Sequence, residues 1–210
     1  MQIDPRQRTW DLAQVNVDEA YKFAAEISDD WFRCQALASA AWHTSSKPRF
    51  LTIANEALKS AKKLPNPNRR VSCSAWIIRA MAKRADVDIS MDVQECLIDI
   101  RKEENPVRRA DALFLLFEAV FSDLKIREEV FEELWNSIVE MKSWKKERLL
   151  ADLALVVAGE DLDRAVDITN SITKASIERK TLEQIEKGEW LGPHEFFPHY
   201  TKPMEAHPVR

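Results

Sequence analysis

Three histidines near the C-terminus are the residues of this sequence best suited to bind a metal or transfer a proton. His194 and His199 lie five positions apart, Glu195 follows the first of them, and His207 comes later. A zinc site of the His-Glu-x-x-His kind needs two histidines four residues apart on one helix. Because the spacing here is five and Pro198 interrupts any helix between them, the pattern does not predict a metal site.

The remaining sequence offers no other catalytic pattern. Cys34, Cys73 and Cys96 are far apart and include no Cys-x-x-Cys pair. Only three glycines occur, so the glycine-rich turns that bind phosphates are absent. No nucleophile and base, and no pair of carboxylates, can be assigned to one face of a predicted helix. We therefore predict a protein that is not an enzyme and uses no metal or cofactor.

The composition is that of a soluble, helical protein. Apolar residues make up 45% of the chain and charged residues 31%. The first glycine is Gly159, and a glycine-free stretch of this length favours helices because glycine destabilises helix interiors. No apolar run has the length of a signal peptide or a membrane-spanning helix, so we expect a cytoplasmic protein without membrane contact. The net charge of −4 argues against general nucleic-acid binding.

A two-part pattern recurs along the chain. Each copy has an arginine, a small residue three positions later, and apolar residues seven and mostly eight positions later. These arginines, the fifth in a degenerate copy, are Arg33, Arg70, Arg109, Arg148 and Arg179, at spacings of 37, 39, 39 and 31 residues. Before each arginine lies a second segment with apolar residues at three- or four-residue steps, as one helix face requires. Each copy is therefore predicted to be a hairpin of helix A, a turn and helix B.

These hairpins predict a single helical-repeat domain over residues 1–187, followed by a tail over residues 188–210. The repeats are predicted at about residues 17–46, 48–86, 90–122, 126–158 and 161–187. Residues 5–15 look like a lone helix B. We expect them to cap the first repeat, because each repeat buries its apolar side only against a neighbour.

The repeat pattern resembles the class of αα-superhelical repeats that includes HEAT, armadillo and tetratricopeptide repeats. The resemblance covers residues 5–187, and a HEAT-like stack is the closer analogy because the Trp-x-x-Leu-Gly-x-x-Tyr signature of tetratricopeptide repeats is absent. It implies an all-α fold, a right-handed α-α superhelix of about five repeats. It also implies a curved scaffold for binding proteins or peptides.

The recurrent arginine is predicted to be structural. A cation in the first turn of a helix opposes the helix dipole, so its repetition indicates a requirement that every repeat shares. We expect each arginine to form an ion pair with an acid on a neighbouring helix. The candidate acids are Glu26, Asp99, Glu140 and Asp167. The alternative is a ladder of guanidinium groups that binds a phosphate or carboxylate partner.

One face of the B helices is the predicted binding surface. Positions two, six, nine and thirteen residues after each arginine form the narrow outer side of a helix that is otherwise apolar. We call this surface the B-helix strip. It contains Trp42, Trp76 and Arg79, residue types that anchor interfaces, although large aromatic residues also occur in cores. The candidate partner-binding residues are Gln35, Trp42, Trp76, Arg79, Lys83 and Glu118.

Two functions follow from these patterns. The first is a non-enzymatic scaffold or adaptor that binds an unidentified protein or peptide along the B-helix strip. The alternative is binding of an anionic polymer, RNA, DNA or an acidic protein, through the second repeat, where no acid occurs between Glu56 and Asp86. Because seven acids follow between residues 86 and 104, these charges could instead attract adjacent repeats to each other.

The tail is too apolar to be a loose extension. It carries Trp190, Phe196, Phe197 and Tyr200 among prolines that exclude a continuous helix. We expect part of the tail to fold back over the last repeat. The alternative is that it presents an extended aromatic segment to a partner.

Overall fold

The structure, a computed structural model, describes residues 4–197, and all regular secondary structure in this range is helical. It contains eleven helices and no strand. The prediction of an all-α fold is therefore confirmed for this part of the chain. None of these eleven helices is both long enough and apolar enough to cross a bilayer.

The helices alternate between the two predicted types. The lone N-terminal helix and the B helices are α1 (Pro5–Val15), α3 (Asp30–Trp42), α5 (Pro67–Ala82), α7 (Pro106–Ala119), α9 (Lys145–Val157) and α11 (Ala175–Glu186). The A helices are α2 (Val17–Ala25), α4 (Lys47–Lys62), α6 (Ser90–Ile100), α8 (Leu124–Val139) and α10 (Leu162–Asn170).

Local sequence determines where these helices begin. Proline occupies the first turn of α1, α4, α5 and α7. Backbone N–H groups in the first turn have no acceptor within the helix, so proline, which lacks this group, is tolerated there. The side chains of Asp29, Asn105 and Asp161 accept hydrogen bonds from backbone N–H groups in the first turns of α3, α7 and α10. Short turns then hold consecutive helices against each other.

Helix packing follows the order of the chain. Successive B helices contact each other, α1 with α3, α3 with α5, α5 with α7, α7 with α9 and α9 with α11. Adjacent helices also pack together, within a hairpin as α4 does with α5, and between hairpins as α3 does with α4. The extensive contacts thus join helices that are neighbours or next neighbours in sequence.

The B helices α3 and α5 contain long stretches in which every residue is buried. Every residue of α3 from Cys34 to Ala41 is buried, as is every residue of α5 from Cys73 to Ile78. In α4, by contrast, the buried residues recur at helical spacing along one face, beginning with Phe50. A helix buried over more than one complete turn must be covered on all sides.

Three of the recurrent arginines make the same two contacts. Nη1 of Arg33, Arg70 and Arg109 donates to the backbone carbonyl six residues earlier, in the turn of the same hairpin, at 3.0, 2.9 and 3.2 Å. The Nε atom of each donates to a side chain on the A helix of the next hairpin. These acceptors are Ser60, Asp99 and Ser137, at 3.0, 2.6 and 3.0 Å. Each arginine therefore ties its own turn to the following hairpin, which favours the structural interpretation of the repeat.

Two of the four predicted ion-pair acids do pair with the recurrent arginines. Arg70 pairs with Asp99, and Arg109 pairs with Glu140. The prediction for Glu26 is wrong, because Arg33 pairs with Asp30 of its own helix.

The prediction for Asp167 is also wrong, and helix length explains why. The acceptors in α4, α6 and α8 are the fourteenth, tenth and fourteenth residues of their helices, whereas α10 has nine residues. Arg148 is exposed and pairs with no acid among residues 4–197. Glu147 makes the link instead, because its carboxylate accepts hydrogen bonds from the backbone N–H and the hydroxyl of Thr173, at 2.7 and 2.9 Å.

The contact between Arg70 and Asp99 provides a test of the arginine link. Two parallel hydrogen bonds join these side chains, each 20% exposed, and the bonds from Arg70 lower the pKa of Asp99. We expect Arg70→Ala to lower the free energy of unfolding by about 2 kcal/mol, because it removes both arginine hydrogen bonds from a half-buried carboxylate and leaves it only the exposed Lys102. Urea unfolding measures this change.

Arg69→Ala is the matched control, since Arg69 is the exposed neighbour on the same helix. We expect the control to change stability by less than about 0.5 kcal/mol. Equal losses in the two variants would show that Arg70 does not link the hairpins.

Candidate functional site

The C-terminal part of the described chain lies across the B helices. We call residues 188–197 the tail segment. It leaves α11 at Gly188, whose φ of +69° is readily adopted only by glycine. The backbone N–H of Leu191 donates to the carbonyl of Leu155 on α9, at 3.2 Å. The tail segment thus turns back from the last hairpin towards the earlier ones.

The next contact of the tail segment is with α7. The backbone N–H of His194 donates to Oε1 of Glu118, at 2.9 Å. The His194 ring lies near Trp76 on α5, with ring centroids 6.3 Å apart. The segment therefore crosses the B helices in reverse chain order, further than the last repeat that we expected it to cover.

Phe197 lies among three tryptophans from three different helices. Its ring centroid is 4.5 Å from that of Trp42 on α3, 5.8 Å from that of Trp76 on α5 and 5.9 Å from that of Trp10 on α1. Phe196 packs edge-on against Trp76 at 5.3 Å, and both phenylalanines are 1% exposed. We call the three tryptophans the tryptophan cage. Such aromatic pairs contribute about 0.5–1.5 kcal/mol each beyond the area they bury.

The structure places the predicted site residues in different environments. Trp42 and Trp76 form part of the cage, and Glu118 accepts the hydrogen bond from the tail segment. Gln35 is 1% exposed, and its side-chain oxygen accepts a hydrogen bond from Arg6 on α1 at 2.8 Å. The strip that we expected to face solvent is therefore covered at Trp76 and Glu118 by the tail segment, and at Gln35 it lies against α1.

Arg79 and Lys83 form a cationic edge beside the cage. Lys83 Nζ lies 3.9 Å from the ring centroid of Trp42, a favourable cation–π distance. Arg79 is half-buried, its side chain forms no hydrogen bond or ion pair within the described range, and burial lowers its pKa. A guanidinium in this state has unused donors for a carboxylate or carbonyl group.

Two polar atoms beside the cage are also unpaired. Nε1 of Trp10 and Nε2 of His43 are buried and have no hydrogen-bond partner in the part of the chain that the structure describes. Their rings meet edge-on with centroids 4.5 Å apart. Burial, together with the charge of Lys83, lowers the pKa of His43, so the imidazole is neutral at pH 7. Buried polar atoms without partners are uncommon in folded proteins and often mark functional positions.

Glu118 carries an unusually basic carboxyl group. Burial raises the pKa of Glu118 to about 8, opposed by the hydrogen bond from His194 and assisted by the nearby charge of Asp152. Glu118 therefore retains its proton at neutral pH, and the tail segment binds to an uncharged group.

Of the three tail histidines, only His194 lies in the part of the chain that the structure describes. No group of histidine, cysteine or acidic side chains in residues 4–197 could hold a metal ion. His199, Tyr200 and His207 lie outside the described residues. The chemistry that the site offers is aromatic stacking, a cationic edge and hydrogen bonds to an extended backbone.

Trp10 and His43 belong to the site but were not among the predicted residues. Residues 11–15 on α1 echo residues 152–156 on α9, which places Trp10 at the position where the other B helices have a small residue. A tryptophan at a position that is otherwise small could have identified Trp10 as a candidate site residue. His43 carried no comparable signal.

Comparison with known protein families, curated proteins and solved structures finds no match to this chain.

The Glu118 carboxyl predicts a specific pH dependence. The folded protein keeps its proton up to about pH 8, whereas the unfolded chain loses it near pH 4.5. Its contribution to stability is thus complete below pH 4.5 and is lost as the pH rises to 8. Glu118→Gln keeps a hydrogen-bond acceptor but does not titrate. We expect its stability relative to wild type to rise across this interval by on the order of 3 kcal/mol.

Urea unfolding at several values between pH 5 and pH 8.5 measures this difference. Glu132→Gln on the exposed face of α8 is the control, and its pH profile should parallel that of the wild type. A profile for Glu118→Gln that also runs parallel to the wild type would rule out the buried, protonated carboxyl.

Proposed function

We propose that the protein is a non-enzymatic scaffold or adaptor that binds an extended segment of a partner protein along the B-helix strip. In this proposal residues 1–187 form one domain, a right-handed α-α superhelix of HEAT-like hairpins. The contacts between successive B helices support this arrangement, because a stack in chain order places all B helices in one layer. The B-helix strip is then the concave face.

The observation that carries the proposal is the position of the tail segment. It supplies an aromatic pair to the cage and a backbone N–H to Glu118, across α7, α5, α3 and α1. These are the contacts by which extended peptides bind to grooves, with pockets for side chains and hydrogen bonds for the backbone. The strip thus has the shape and chemistry for a ligand of this kind.

The cationic edge supports a partner with an acidic group. Lys83, the C-cap residue of α5, follows Arg79 by one helical turn, and Arg79 follows Trp76 of the cage by three residues. Because Arg79 has no partner among residues 4–197, a ligand carboxylate would gain a charge-assisted hydrogen bond without breaking an existing one.

The alternative, binding of an anionic polymer by the second repeat, has less support. Lys62 pairs with Glu95 at 2.6 Å, and Arg70 pairs with Asp99. Two cations of the second repeat are therefore neutralised by the next A helix. This pairing favours the interpretation that adjacent hairpins attract each other. Binding of RNA, DNA or an acidic protein there stays a prediction.

A cytoplasmic location is part of the proposal. All three cysteines are free and buried, as is usual in reducing compartments.

The cationic edge provides the test of this function. We expect Arg79→Gln with Lys83→Gln to lose about 2 kcal/mol of partner binding, roughly 30-fold, because arginine beside tryptophan is typical of interface hot spots. The measurement is quantitative mass spectrometry of proteins captured by the full chain from an extract of its native organism. A partner should be enriched by the wild type and lost with the double variant.

Lys59→Gln with Lys63→Gln is the matched control, since both lysines are exposed at the end of α4, away from the strip. The control should capture the partner as the wild type does, and thermal unfolding should confirm that both variants are folded. Capture that is the same for the two double variants would reject the strip as the binding surface.

A further inference from the structure

We infer that the tail segment is an internal ligand, and that the B-helix strip recognises partner segments with two adjacent aromatic residues and a nearby acidic side chain. This inference rests on the proposed function and names the chemistry of the partner. A partner segment would replace Phe196 and Phe197 in the tryptophan cage. The strip would then alternate between an occupant from its own chain and one from a partner.

The first argument is that side chains anchor the tail segment. The segment has no helix or strand, and both of its phenylalanines are almost completely buried, whereas Trp190 and Leu191 remain 48% and 39% exposed. The burial is therefore concentrated in two adjacent residues. An aromatic pair on an extended backbone is a portable motif that another protein can supply equally well.

The second argument is that the receptor side of the contact is built independently of the tail segment. Trp10, Trp42 and Trp76 are held by α1, α3 and α5, which pack directly against each other in chain order. A site carried by rigid helices needs little reorganisation to accept a new ligand, and this lowers the cost of binding a short peptide.

The third argument concerns the connection to α11. Residues 186–192 are all exposed, and they include Gly188 and Gly192. The N–H of Leu191 makes a hydrogen bond to α9, but most of this stretch is open to solvent. A short tether of this kind gives the tail segment an effective concentration in the millimolar range at the cage. A partner that offers only an aromatic pair would therefore compete poorly with the tail segment for the tryptophan cage.

The unpaired guanidinium of Arg79 supplies the advantage that a partner needs. The tail segment fills the cage, yet Arg79 forms no ion pair with it in the described chain, although Glu195 is exposed next to Phe196. A partner whose carboxylate reaches Arg79 makes one contact that the tail segment does not make. The recognised motif thus combines an aromatic pair with an acidic residue that the tail does not place correctly.

The test uses the full chain and a synthetic peptide of residues 188–197 labelled with fluorescein. The chain carries Phe196→Ala with Phe197→Ala, which empties the cage. We expect fluorescence anisotropy to show that the peptide binds this variant at least 10-fold more tightly than the wild type, whose cage is occupied. A peptide with both phenylalanines replaced by alanine should bind at least 10-fold more weakly.

Absence of peptide binding to a variant that keeps its helical circular dichroism would overturn the inference, since the tail segment would then be a permanent part of the core. Peptide binding to the variant, combined with concentration-dependent dimers of the wild type, would overturn the internal ligand in favour of the tail of a second copy.

A second measurement covers the case in which the double variant does not fold. A protease site inserted between Lys187 and Gly188, both exposed, converts the tail segment of the wild-type sequence into a separate chain on cleavage. Exchange of the cleaved tail for the labelled peptide would support the inference. A cleaved tail that never exchanges would overturn it.

Failure of this inference can be distinguished from failure of the proposed function. If the peptide does not bind but partner capture still depends on Arg79 and Lys83, the inference fails and the proposed function stands. If capture is independent of the cationic edge, the proposed function fails whatever the peptide does.

Discussion

The B helices α3 and α5 are buried around almost their whole circumference, and the rest of the structure follows from the need to cover them. A helix such as α3, buried continuously from Cys34 to Ala41, has no side that it can leave in water. The A helices cover one side, and the neighbouring B helices cover two more. The tail segment covers part of the fourth side, where it contacts α3, α5 and α7. The surface that the tail segment covers is the B-helix strip, the same surface that we propose for partner binding.

The arginine links are the polar counterpart of this apolar packing. Arg33, Arg70 and Arg109 each satisfy a turn carbonyl and bind a side chain of the next A helix, so one residue positions two hairpins relative to each other. Because the acceptor must lie far enough along helix A, the link fails at Arg148, where α10 is too short. The last hairpin is joined to α9 through Glu147 instead.

Helices were predictable from the sequence because their signals are local. Three- and four-residue spacing and the arginine repeat identified both helix types, and helix α1 has the bounds expected of the lone helix over residues 5–15. The acids that face Arg70 and Arg109 were also predictable, since they follow at similar distances along the chain.

The site was less predictable because it depends on contacts between distant parts of the chain. The tail segment has no periodicity, so its sequence indicates that it is buried but not against which helices. Periodicity placed Gln35 on an exposed strip, whereas Arg6 covers it from a helix 29 residues earlier. The only sign in the sequence that Trp10 belongs to the site is that it replaces the small residue found at this position in the other B helices.

The meeting of Phe197 with tryptophans near the start of the chain has a consequence for biosynthesis. A ribosome adds the roughly 120 residues that separate Trp76 from Phe197 in roughly 6–24 s, at about 5–20 residues per second. Early hairpins have their neighbours well before then, because their contacts are short-range. Throughout that interval the nascent polypeptide presents three uncovered indole rings, at the stage when unfolded segments and chaperones are closest to it.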